Sequence, residues 1–195
     1  MYYVMTCLSP DVGYLAMLSY EPDHPSRSWA QADKFSTNPE DPAYLRAPPE
    51  PVRAQVKKNR SGVMAEFWDD PVPLMTKRLF KALEAAGVRN IDLYKAEIFD
   101  PNTGTTYKDY VAFNIVGKVA AADLARASVD TRSPERMIAM DFNSLAIDEA
   151  AAGGALLFRL AESVNAIVVH ERVKNYLEAN GINTLTFIEP EDWAG

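Results

Sequence analysis

An α+β fold is predicted for this chain: a mainly antiparallel sheet with two similar helices packed on it, and a long proline-rich N-terminal excursion. Three observations carry the expectation. Short apolar runs separated by turn residues recur through much of the 195 residues, which is the rhythm of strands. Two stretches, near 74–87 and 168–181, instead space their apolar residues at helical intervals and end on glycine. Eight of the 13 prolines (Pro10, Pro22, Pro25, Pro39, Pro42, Pro48, Pro49 and Pro51) precede residue 60, and proline is excluded from helix interiors and central strands.

In chain order, "MYYVMTC" reads as a first strand. It has no Lys or Arg before its apolar run, the first basic side chain being Arg27, so it lacks the positive leader and longer apolar core of a secretory signal. Residues 21–51 are expected to run irregularly over the surface, with Trp29, Phe35, Tyr44 and Leu45 giving the loop groups to dock with. "VRAQVKKNRSG" (52–62) carries Lys57, Lys58 and Arg60 and reads as a solvated turn. "GVMAEFWDD" reads as a strand running into a turn. In "PLMTKRLFKALEAAG", Met75, Leu79, Phe80 and Leu83 share a helical face, Thr76 stands at the N-cap, and Gly87 stands where the chain leaves in a left-handed conformation, so a helix is predicted over 74–86.

"IDLYKAEIF" then reads as a strand, "DPNTG" as a turn, and "YKDYVAFNIVGKV" as one long strand pairing back. "AAADLARAS" is a short helical or turn segment. "SLAID", "ALLFRL" and "AIVVH" read as strands, with turns at "EAAAGG" and "AESVN" between them. "HERVKNYLEANG" is the second helix, over 170–180, and "NTLTFIEP" a closing strand. The chain divides in expectation into an N-terminal strand and irregular segment (1–60) and an α+β part (61–195), within one folded unit.

The two helices align at a constant offset of 94 residues: Thr76 with His170, Arg78 with Arg172, Leu79 with Val173, Leu83 with Leu177, Gly87 with Gly181 and Val88 with Ile182. Each match has a structural cause, since the aliphatic positions face a core and the glycines end the helices. The repetition therefore speaks of fold, not chemistry. Leu83 and Leu177 are expected to be buried, and both glycines to have positive φ.

Composition narrows the function classes. The chain is 48% hydrophobic and carries a net charge of −7, which excludes a disordered tail and argues against a nucleic-acid binder. Residues 1–60 hold seven basic and seven acidic side chains, so the excess negative charge lies in residues 61–195. The single cysteine, Cys7, permits no intramolecular disulfide and is expected to be an inert thiol in a reducing compartment. No apolar run approaches the roughly 20 residues of a membrane span. A cytoplasmic protein is expected.

Two histidines, His24 and His170, and one cysteine are too few for a usual transition-metal site, and none of HExxH, CxxC, GxSxG or GxxxxGK[ST] occurs. No metal and no cofactor are expected. The carboxylate pairs Asp69–Asp70, Asp148–Glu149 and Glu189 with Glu191–Asp192 would serve acid–base chemistry only if two of them met in a cleft. Otherwise they are turn residues.

"KDYVAFNIVGKVAAADLARAS", "SLAID" and "LLFRLAESVNAIVVHERVKNYLEANGINTLTF", taken in this order over about residues 108–188, resemble the eleventh family of polymorphic-toxin immunity proteins, typified by a myxobacterial protein and formerly a domain of unknown function. The carrying features are the Y-V-x-F-N-I-V-G strand, the L-F-R-L strand and the V-V-x-E-R-V-K-x-x-L-x-x-x-G-I helix. His170 departs from the serine or threonine usual at its position. The resemblance implies a non-enzymatic protein that binds a cognate toxin and blocks it by occlusion, with no cofactor. A toxin of basic charge would suit the acidic composition.

Two other readings stay open, a carboxylate-based hydrolase and a self-associating structural module, and a homo-oligomer is compatible with all three. For a toxin partner, two stretches are candidates. One is the aromatic-bearing excursion with Trp29, Phe35 and Tyr44, because aromatic side chains anchor interfaces. The other is "EFWDDP", where Glu66, Asp69 and Asp70 flank Trp68.

Overall fold

A computed structural model describes residues 1–7, 13–20, 29–130 and 140–195. His24, its neighbour Asp23, and Pro10, Pro22 and Pro25 lie outside the described residues. In chain order the elements are β1 (Tyr2–Cys7), β2 (Leu18–Tyr20), β3 (Val52–Val56), β4 (Phe67–Trp68), β5 (Leu74–Thr76) and α1 (Lys77–Ala85). Next come β6 (Ile91–Asp100), β7 (Thr105–Tyr107), β8 (Tyr110–Ile115), β9 (Lys118–Val119), β10 (Ser128–Val129) and β11 (Phe142–Ser144). The chain continues through α2 (Glu149–Ala152), β12 (Leu157–Leu160), β13 (Ile167–His170), α3 (Glu171–Ala179) and β14 (Leu185–Ile188).

The architecture is mixed and mostly sheet. A seven-stranded sheet runs β2-β3-β6-β8-β5-β4, with β7 also paired to β6, and a five-stranded sheet runs β14-β1-β13-β12-β9. Pairing is antiparallel in both except for β3 with β6 and β12 with β9. A third pair, β10 with β11, is separate.

The hydrophobic core has three parts. Met75, Phe113 and Ile115 of the larger sheet meet Tyr3, Leu157, Ile167 and Val169 of the smaller one around Leu79, Leu83, Val173 and Leu177 of α1 and α3. The side chains alternating with these cover the far faces. Tyr2, Val4, Phe158, Leu160 and Val168 pack with Phe142 and Trp193, and Val52, Ala54, Leu74, Ala96, Ile98 and Ala112 pack with Trp29 and Phe35. Period-two alternation along each strand makes this possible, because neighbouring residues feed opposite faces.

The helix ends follow their local chemistry. Thr76 Oγ1 accepts the Leu79 N–H at 3.1 Å, and His170 Nδ1 accepts the Arg172 N–H at 3.0 Å. Gly87 and Gly181 have φ of +103° and +76°. A Cβ on Gly87 would stand 3.2 Å from both Leu156 Cδ1 and an Arg172 guanidinium nitrogen, so that exit is tight as well as left-handed.

Four sequence expectations are corrected. The first helix begins at Lys77, not 74, because Leu74–Thr76 pair with Tyr110–Ala112 as β5. A third helix, α2, occupies part of the expected "EAAAGG" turn, since the Asp148 carboxylate accepts the N–H groups of Ala150 and Ala151 and starts it. "SLAID" is not a strand beyond Ser144, and Ile147 makes only an isolated bridge with Ala122. The long strand over 107–119 is broken into β7, β8 and β9; at Gly117 φ is +114°, and the chain turns there to place β9 in the other sheet.

The stretch 52–62 is also more than a turn. Its first five residues form β3, with Val52, Ala54 and Val56 buried and Arg53 exposed. Before it, the described part of the excursion contains short 3₁₀ turns at Trp29–Gln31 and Ala43–Leu45 and a bridge between Ser36 and Arg46.

Candidate functional site

The segment 66–70 carries four of the candidate contact residues and lies around β4, at the edge of the larger sheet. Glu66 is 8% exposed. Its carboxylate accepts hydrogen bonds from Thr76 Oγ1, from Thr184 Oγ1 at 2.8 Å and from Arg78 at 3.2 Å. Thr76 therefore works twice, donating to Glu66 and accepting at the start of α1. Thr184 lies just before β14, so one carboxylate ties β4, α1 and the approach to the smaller sheet together.

Burial by itself would raise the Glu66 pKa, but the hydrogen bonds from Thr76, Thr184 and Arg78, with the Arg78 charge, hold it below the ordinary value of 4.5. A carboxyl whose folded pKa is depressed adds stability above its unfolded pKa and loses it as pH falls through the folded one. Glu66→Gln should therefore lower the urea midpoint at pH 7, and its difference from the unsubstituted protein should shrink steadily below about pH 4. An equal difference at pH 7 and pH 3 would show that the carboxylate charge is not what the threonines and Arg78 hold.

Asp69 points the other way, into the second sheet. Arg159 of β12 is 1% exposed, and its guanidinium donates to both Asp69 carboxylate oxygens, one of them at 3.0 Å, and to the Val164 carbonyl at 2.7 Å. Trp68 is half-buried. Its indole N–H donates to the Ala16 carbonyl at 3.0 Å, and its ring lies 5.4 Å from that of Tyr110. Burial pushes the Tyr110 phenol pKa upward, and its hydroxyl donates to the Ala65 carbonyl at 2.8 Å. Asp70 is exposed.

The aromatic candidates are divided. Trp29 and Phe35 are buried, meet edge to face at 4.9 Å, and both contact Tyr94 of β6. Tyr44 is 52% exposed. The structure thus groups Glu66, Trp68, Asp69 and Asp70 in one segment, places Trp29 and Phe35 in the core under β3 and β6, and leaves Tyr44 apart on the surface. Among the described residues no group of three or more His, Cys, Asp and Glu stands close enough to hold a metal ion. No helix among them is long and apolar enough to cross a membrane.

A cleft of about 460 Å³, not singled out from the sequence, opens on the part of the larger sheet that the helices leave uncovered. Leu93 and Val111 give it an apolar floor, and Lys77, Lys95 and Lys108 stand around it. Lys108 pairs with Glu97 at 3.4 Å, the Lys77 ammonium donates to the Lys108 carbonyl at 2.8 Å, and the Lys95 backbone N–H donates to the Glu50 carboxylate at 3.0 Å. Three lysines, from α1, from β6 and from the link between β7 and β8, meet only because β8 folds back on β6, pairing Val111 with Lys95. Such a surface, apolar beneath and charged at its margin, is suited to recognition.

Among known families, the model of an immunity protein family, Imm11, matches residues 19–192. No curated protein matches the chain.

Proposed function

The chain belongs to the Imm11 immunity protein family, and from that premise we propose that it binds a cognate toxin and blocks it by stoichiometric occlusion in the cytoplasm, without turnover. The observation that carries this reading is the span of the match, which takes in every strand from β3 to β14 and all three helices. The net charge of −7 supports a toxin with a basic surface, since complementary charge speeds encounter and suppresses wrong partners.

Of the candidate contacts, Tyr44 and Asp70 stand free to meet a partner, together with the exposed part of Trp68. Trp29, Phe35, Glu66 and Asp69 serve recognition by holding these in place. Variable exposed loops suit this task because they change without disturbing the core.

Co-expression with the toxin domain encoded beside the protein, in a host that has neither, tests the reading. Growth should be restored, and the two chains should elute as a 1:1 complex. Continued killing with no complex would overturn it. Tyr44→Ala with Asp70→Lys should keep the fold and weaken the complex by on the order of tenfold.

A further inference from the structure

We propose that the open edge of β6, with the lysine-rimmed cleft beside it, receives an extended acidic segment of the partner protein, added as a further strand to the seven-stranded sheet. The partner's identity as a toxin rests on the reading above; the chemistry of the site does not.

The edge is open because β6 outruns its neighbours. β8 pairs with Ile91–Lys95 on one side, whereas β3 pairs only with Ala96–Phe99. The 91–95 half therefore has no strand opposite β8. Backbone direction can be read from two bonds. The Asn90 carbonyl accepts the Val116 N–H at 2.8 Å on the β8 side, while the Lys95 N–H donates to Glu50 on the other. Peptide groups alternate along a strand, so Ile91 and Leu93 turn their N–H and C=O groups to the open edge, while the Lys95 N–H on the same side is already held by Glu50. Such a row is a template for an added strand.

The chain's own residues are poorly made to fill it. Those running into β3 include Pro48, Pro49 and Pro51, which have no N–H to offer a ladder.

Charge selects the occupant. Lys108 is compensated by Glu97. The Lys77 ammonium bonds only a neutral carbonyl, and among the described residues the Lys95 ammonium has no ion pair or hydrogen bond. Set against the Glu50 carboxylate, which lies on the same edge, these leave one positive charge in excess around the cleft, on a chain whose net charge is −7. Leu93 and Val111 beneath them offer contact to apolar side chains. A strand alternating carboxylates with apolar residues satisfies all three features. A basic strand would meet the lysines, and a nucleic acid has neither a peptide ladder for the strand edge nor aliphatic side chains for Leu93 and Val111.

The test uses the full chain and three fluorescein-labelled probes at low salt: a decapeptide alternating Glu and Val, its Lys–Val counterpart, and a ten-nucleotide oligothymidylate. The Glu–Val peptide should bind and slow hydrogen exchange at the Leu93 amide, and the other two should not bind. Lys77→Glu with Lys95→Glu, both at exposed positions, should weaken it by about tenfold or more while leaving the urea midpoint in place. No binding of the Glu–Val peptide, equal binding to the double variant, or equally tight oligothymidylate binding would overturn the proposal. In co-expression, a double variant that protects as well as the unsubstituted chain overturns this site and spares the toxin reading. Failure of the unsubstituted chain to protect, with the peptide results as expected, counts against the toxin reading alone.

Discussion

Asp69→Ala should cost the folded state about 2–3 kcal/mol, while Asp70→Ala, one residue along, should change stability by less than about 0.5 kcal/mol. The two side chains are chemically identical and differ only in what they face. Asp69 meets both terminal nitrogens of a guanidinium that is 1% exposed, and removing it leaves that cation out of water with only the Val164 carbonyl as partner. Asp70 points into solvent. The expected cost sits below the full range for a buried pair because about a third of the Asp69 side chain remains exposed and water screens it. Urea titrations of both variants decide the matter. Arg159→Met added to Asp69→Ala should recover part of the loss, since it removes the stranded charge at similar volume. Equal midpoints for the two single variants would mean that the pair does not hold the sheets together.

Leu83→Ala and Leu177→Ala should each destabilise by about 2–5 kcal/mol. Both leucines are fully buried, one on α1 and one on α3, in the layer between the two sheets. Truncation removes buried methyl groups and leaves space that packed neighbours fill only in part. Because the two positions belong to one cluster, the double variant should lose less than the sum of the single losses. Thermal and urea unfolding of the three proteins give the comparison. A cost below about 1 kcal/mol at either position would mean that its helix is not clamped between the sheets as described.

Much of the fold was legible where one local cause acts. The caps at Thr76 and His170 and the exits at Gly87 and Gly181 depend on a few neighbouring residues, and those residues were in view. The strand over 52–56 was hidden by charge: Lys57, Lys58 and Arg60 drew the reading to a turn, although Val52, Ala54 and Val56 alternate in front of them. The site was less legible because its contacts are long in sequence. Asp69 and Arg159 are 90 residues apart, and Glu66 and Thr184 are 118 apart. "EFWDDP" looked like an acidic surface, but two of its three carboxylates are turned inward to join segments of the chain. The lysine-lined cleft had no motif at all. It exists only through the pairing of β6 with β8.

The position of β1 has a consequence in time. This strand lies inside the smaller sheet, between β13 and β14, so residues 2–7 wait for partners at 168–170 and 185–188. At roughly 5–20 residues per second, a ribosome needs about ten to forty seconds to travel from one to the other. Throughout that interval "YYVMTC" is an apolar ribbon with both edges bare, the form most prone to stick to other nascent chains. Only once residues 185–188 have emerged can the smaller sheet close, and closing a loop this long makes the step slow as well as late. A molecule whose β14 has not yet emerged cannot contribute a finished smaller sheet, so the cell's working supply is set by chains that have passed that point.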